Sequence, residues 1–170
     1  MITLTTLMVY GTAQHLLRIG ANAEPATQAK FLSQRLANGA EPAEIVTSYY
    51  ANLPQDGATF TLITDENEKT IISTYRLNNQ LLELPSGVYS YAKSHGEDRL
   101  TWQPEMGIRE ATVVMPYTSK DGKTGFVASG VSLRESENSL DALTLKLFMG
   151  WVLMMAVSSI TFYPGVSKKS

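Results

Sequence analysis

The sequence predicts an α+β domain: a five-stranded antiparallel sheet with flanking helices, joined to apolar helices at both chain ends. Three observations predict it. Strand-like runs fall into two groups on either side of a single helix, which favours antiparallel hairpins over a βαβ repeat. Short polar turn clusters separate those runs. The apolar residues are unevenly spread, with one apolar stretch at each end and polar material between them.

The helices come first. From Pro25 to Leu36, Ala26, Ala29, Phe31, Leu32 and Leu36 recur near helical spacing, and Asn38-Gly39 supplies a stop. A second helix is expected over residues 42–53, with proline near its first position and Ile45, Val46, Tyr49 and Tyr50 facing inward. Pro54-Gln55-Asp56-Gly57 reads as a turn.

The first hairpin follows. Residues 59–64 alternate, with Phe60 and Leu62 on one face, and residues 69–74 form the return strand after the polar turn 65–68. Residues 77–84 read as loop. Pro85 opens a helix running to His95, with Val88, Tyr91 and Ala92 as its buried face and Gly96 as its stop.

Three more strands are expected over residues 98–103, 108–117 and 124–131, with turns at 104–107 and 119–122. The second turn needs a positive backbone angle, which Gly122 provides. Ser132-Leu133-Arg134-Glu135 has capping-box spacing and starts a last helix. Leu133, Leu140 and Leu147 lie seven apart, with Leu143 and Gly150 on a neighbouring row, the beginning of a coiled-coil-like contact.

That last helix is expected to continue into the membrane. No charge interrupts Leu147–Tyr163, a run of 17 residues, and 22 are available if the helix counts from Ala142 with Lys146 snorkelling. Trp151 and Tyr163 suit the interface, and Lys168-Lys169 after the span marks the cytoplasmic side. The competing reading, a buried core helix, lacks the polar face such a helix usually shows.

The N-terminal stretch is weaker. It is uncharged from Met1 to Leu17 but contains four threonines, Gln14 and His15. A span, the outer part of a span beginning before Met1, and an amphipathic or packed helix all stand as readings. No basic segment precedes it, as a signal peptide requires. With both ends spanning, both termini lie inside and the middle outside. The expected organisation is a membrane helix over residues 1–20 and an extracytoplasmic domain over 25–132. A linker helix continuing into a span covers 133–163, and a short cytoplasmic tail covers 164–170.

Composition narrows the chemistry. With 14 basic and 16 acidic residues the net charge is -2, so no basic face speaks for nucleic acid. The absence of cysteine excludes disulfides, thiol nucleophiles and thiolate metal sites.

The layout resembles the extracytoplasmic PAS-like or Cache-like sensor domains of bacterial membrane receptors. Those domains place a long helix before, and often one after, a five-stranded antiparallel sheet. The stretch from Gly87 to Glu137 is also similar to a segment of small uncharacterised bacterial membrane proteins in which such a domain sits between two spans. The similarity covers residues 51–137. It implies architecture and a cell-membrane location, and neither group has a catalytic motif that maps onto this chain. Receptors of that design continue into a cytoplasmic output module, whereas seven residues follow Tyr163 here. Either any signal is expected to pass through a separate membrane partner, or the chain is a fragment.

No catalytic, cofactor or metal motif is found. His15 and His95 are far apart, and His95 before Gly96 reads as a helix-end group more readily than as a ligand beside Glu97 and Asp98. Gly122-Lys123-Thr124 lacks the upstream glycines of a phosphate loop. Nothing arranges a serine and histidine as a nucleophilic pair.

One loose polar-aromatic set remains: Tyr89, Tyr91, Arg99, Trp102, Arg109, Tyr117 and Ser119. Within it Tyr89, Trp102, Arg109 and Tyr117 are the candidate ligand pocket, aromatic walls with a guanidinium for a small anion or amino acid. Ordinary core aromatics with solvated arginines explain the same residues. Strand parity puts Leu100 and Trp102 on one face and Arg99 and Thr101 on the other.

The expected function is a non-enzymatic accessory or interaction subunit of a membrane assembly, its partners the bilayer and another membrane protein or a second copy. The alternative is a sensor module that binds a small-molecule ligand and signals through a separate partner.

Overall fold

The computed structural model describes residues 2–48, 59–77 and 79–162. The elements are α1 (Ile2–Ala21), α2 (Ala23–Ala37), α3 (Pro42–Ile45), β1 (Thr59–Thr64), β2 (Thr70–Ser73), β3 (Arg76–Leu77), β4 (Gln80–Leu81), α4 (Ser86–His95), β5 (Asp98–Glu105), β6 (Ile108–Thr118), β7 (Thr124–Ser132) and α5 (Arg134–Phe162). They group into two compact units. Ile19–Glu135 form one, and the chain up to Arg18 with the chain from Ser136 forms the other.

The first unit is α+β. Its five-stranded sheet has the order β2-β1-β7-β6-β5, antiparallel throughout. Pairing of β1 with β7, from Thr59↔Val131 to Ile63↔Val127, joins the first hairpin to the later three-stranded meander. Central strands covered on both faces need apolar or small residues at successive positions. β1 accordingly buries Phe60 through Thr64, and β7 buries Gly125 through Gly130.

Each face has its own core. On one, Phe60, Leu62, Trp102, Val114, Phe126 and Ala128 pack with Val88, Tyr89 and Ala92 of α4 and with Tyr75, Leu82 and Leu84. On the other, Ile63, Ile72 and Val127 pack with Leu32 and Leu36 of α2 and with Val46. Gln28 of α2 fixes its register there. Its amide nitrogen donates to Thr61 Oγ1 at 3.1 Å, and Thr59 Oγ1 donates to its oxygen at 2.6 Å.

Gly130 lies where the first core is tightest. A Cβ there would run into the Phe60 ring and approach Thr112 Oγ1 at 2.9 Å. Gly96 ends α4 at φ 86°, with its N–H on the Ala92 carbonyl at 2.8 Å, the left-handed cap that its sequence position predicts. Gly122 takes φ 80° in the β6–β7 turn, where Ser119 N–H donates to Lys123 O at 2.8 Å. The Gly122-Lys123-Thr124 run is thus a hairpin turn.

Several expectations need correction. The helix expected over 42–53 is only Pro42–Ile45, because Val46 turns to an extended conformation (φ −107°, ψ 93°) and buries its side chain. Tyr49, Tyr50 and the turn 54–57 lie outside the described residues. Phe31 is exposed, and α2 turns Ala29, Leu32 and Leu36 inward. α4 buries Tyr89, whose ring meets Phe126 at 5.0 Å, and leaves Tyr91 stacked on His95 at 4.0 Å on the surface. Residues 77–84 are not loop throughout. They contain the β3–β4 ribbon, then Leu82 and Leu84 enter the core, and Thr70 Oγ1 donates to Leu82 O at 2.6 Å.

The second unit is helical. α1 forms, but the expected pair of spans is not present: among the described residues only Ser136–Ser159, within α5, is long and apolar enough to cross a membrane. The physical reason is composition, since Gln14, His15 and Arg18 interrupt the apolar run of α1. None of the α5 segment is buried, so the core-helix reading fails. Its Leu145, Phe148, Met149 and Leu153 are exposed, while Leu140, Leu143, Leu147 and Trp151 form a half-buried row. At its start Arg134 N–H donates to Ser132 Oγ at 3.4 Å, a long bond two residues on, where the capping box has the cap serine bond its third successor.

Candidate functional site

β6 alternates between the two cores. Ala111 and Val113 point one way; Glu110, Thr112 and Val114 point the other, onto the face that α4 covers. Glu110 is therefore carried into the interior by strand parity. It is 0 % exposed. Its cross-strand neighbours are Trp102 on β5 and Ser132 on β7.

Neither carboxyl oxygen of Glu110 has a hydrogen-bond partner among the described residues. Burial without a compensating charge pushes its pKa up to about 8. One register position along, Thr112 is also fully buried with its hydroxyl unpartnered. The Trp102 and Phe60 rings, 5.8 Å apart and tilted by 58°, lie in the core on the same face. A carboxyl in this setting is a neutral acid near pH 7, able to donate one hydrogen bond and accept another, and able to lose a proton at mildly alkaline pH.

The four residues singled out from sequence do not converge. Tyr89 and Trp102 share the α4-side core. Burial pushes the Tyr89 hydroxyl up to about 12. Tyr117 packs against the opposite core, and its hydroxyl donates to Thr64 O at 3.2 Å. Burial raises its pKa, helped by the charges of Asp65 and Glu41. Arg109 is exposed, on the parity opposite to Glu110. Trp102 and Tyr117 border different clefts. Trp102, Thr70, Leu77 and Leu82 border one of about 580 Å³, and Tyr117, Leu36, Ile72 and Lys123 border one of about 330 Å³.

Of the remaining sequence candidates, Ser119 is half-buried beside the cleft of about 330 Å³, and Tyr91, Arg99 and His95 are on the surface. Arg99 pairs with Glu97 at 2.8 Å. His95 Nδ1 lies 2.8 Å from Ser94 Oγ and 3.1 Å from Tyr91 O, a helix-end arrangement. Among the described residues no group of three or more His, Cys, Asp or Glu side chains is placed to hold a metal ion.

No family model matches the chain, and no curated protein matches it. The resemblance to PAS-like domains therefore rests on architecture: the sheet order, a helix on each face and the apolar helix that follows the last strand.

Glu110 and Thr112 are the residues that sequence reasoning missed. The signal was available in the strand pattern. A charged residue two and four positions from Thr112 and Val114 shares their side of the strand, and Val114 is an obvious core residue.

Proposed function

We propose that this chain is a non-enzymatic, membrane-anchored sensor module whose α+β domain lies outside the cytoplasm and acts through a separate membrane partner. The observation that carries the reading is the covered sheet face. It buries the carboxyl of Glu110 and the hydroxyl of Thr112 without partners, against Trp102, on the strand next to the one that leads into α5. A domain selected only for stability satisfies its buried polar groups or replaces them. Unsatisfied groups on one face favour a site that changes state. The α+β architecture and the apolar helix are consistent with a PAS-like sensor in a membrane protein.

The accessory-subunit reading has its own support. β2 is an edge strand, and its Ile71 is exposed beside the cleft of about 330 Å³. The two readings separate on purification of the full chain in detergent from its native membrane. Under the sensor reading, the thermal midpoint moves on adding a small molecule. A midpoint insensitive to small molecules, with a stoichiometric membrane partner recovered, overturns the sensor reading in favour of the accessory one.

A further inference from the structure

The Glu110 carboxyl is fully buried on the sheet face that also buries Trp102. It occupies the β5–β6–β7 row Trp102–Glu110–Ser132. Ser132 is the last residue of β7, and its hydroxyl accepts the first N–H of α5. On the same face, the next row is Leu100–Thr112–Gly130. The Gly130 position is filled by the Phe60 ring and the Thr112 hydroxyl, so the floor beside Glu110 cannot take a larger group without moving.

The charged and titratable groups around it offer no ion pair. On β5, Glu105 is exposed and lies opposite Ile108, and Asp98 shares the face but lies opposite Val114, with the Leu100↔Thr112 row between. On α4, Tyr89 faces this core, and Lys93 and His95 are exposed. The segment after β2 contributes Tyr75, within the core, Arg76, half-buried on β3, and Glu83, exposed. On its own strand Arg109 has the opposite parity, and on β7 the facing residue is the neutral Ser132. Arg134 is exposed at the start of α5. Both oxygens of Glu110 are left without a hydrogen bond from any of these.

Resting on the sensor reading above, we infer that Glu110 is a proton-binding site, and that loss of its proton opens the covered face at the Trp102–Glu110–Ser132 row. The ligand is the proton itself. An ionised carboxylate cannot stay in a partnerless apolar enclosure, so ionisation admits water. The row that yields is the one from which α5 starts, which makes the loosening available to the membrane helix. The step balances simply: the carboxylic O–H breaks, the electron pair stays on the oxygen, and the proton goes to solvent.

The test uses the full chain in detergent, with Trp151→Phe so that Trp102 is the only indole. Infrared difference spectra between about pH 6 and about pH 10 report neutral carboxyl groups, and Trp102 emission reports opening. The expected result is a neutral-carboxyl band that disappears with a midpoint near 8, with a red shift of Trp102 emission at the same midpoint. Both are absent in Glu110→Gln, whose neutral amide cannot titrate. Glu110→Asp, a shorter acid, keeps the band. A band that persists in Glu110→Gln, no band in the parent, or an emission shift that survives the substitution overturns the proton site. None of these outcomes decides the broader sensor reading, which the small-molecule response tests separately.

Discussion

Trp102 and Glu110 face each other across the β5–β6 pair on the covered side of the sheet, an indole beside a carboxyl that has no hydrogen-bond partner among the described residues. The carboxyl is fully buried on the same face as the rings that stabilise the core. Stability and protonation are therefore linked at this position.

The sign of that link follows from the direction of the shift. Glu110 has an ordinary pKa of 4.5 when unfolded and about 8 when folded, so the folded state holds the proton more tightly. Stability is greatest below 4.5 as far as this group is concerned, falls as pH rises, and levels off above 8. At neutral pH the loss relative to acid is roughly 3 kcal/mol. Glu110→Gln should flatten the profile and raise the neutral-pH thermal midpoint in detergent. A steeper decline with pH in the variant would contradict the assignment.

Gly130→Ala should destabilise the domain, because the added methyl meets the Phe60 ring and the Thr112 hydroxyl. Overpacking of this kind costs about 1–3 kcal/mol. Chemical denaturation of the full chain measures it, and the double variant Gly130→Ala with Phe60→Leu should recover part of the loss. Equal stability of Gly130→Ala and the parent would mean the Phe60 ring moves freely.

Thr70→Val tests the tie between β2 and the segment entering the core. It removes the bond from Thr70 Oγ1 to Leu82 O while keeping the side-chain shape, and leaves a buried carbonyl with one partner fewer. The expected loss is about 1–2 kcal/mol. Hydrogen exchange should quicken over residues 80–84 before it quickens in β7. Uniform quickening across the sheet would show that the bond supports the whole domain and not this segment.

For the apolar helix, Leu153→Arg places a charge near the middle of the uncharged stretch Leu147–Phe162 of α5. Insertion should become less favourable by about 2.5–3.5 kcal/mol. Arg at exposed Met106, in the β5–β6 turn, is the matched control and should leave membrane partitioning unchanged. Fractionation of expressing cells reads both. Equal partitioning of Leu153→Arg and the parent would remove the case for a span.

Much of the architecture was legible because it is written in local signals. Strand parity, the glycines at positions 96 and 122 and the uncharged run of α5 each act over a few residues, and each is where the chain places it. The α+β class followed from the order of those signals. The length of α3, the choice of Tyr89 over Tyr91 and the entry of Leu82 and Leu84 into the core depended on what lies across the gap. Helical spacing alone cannot rank two tyrosines two positions apart, whereas Phe126, 37 residues ahead by chain and 5.0 Å from Tyr89 by ring, can. The site was decided in the same way. A glutamate in a strand ordinarily faces water, and only the packing on that face of the sheet gives Glu110 no water to face. Local sequence sets which side of the strand a residue takes; burial, and with it the chemistry of the carboxyl, is a property of everything packed above it.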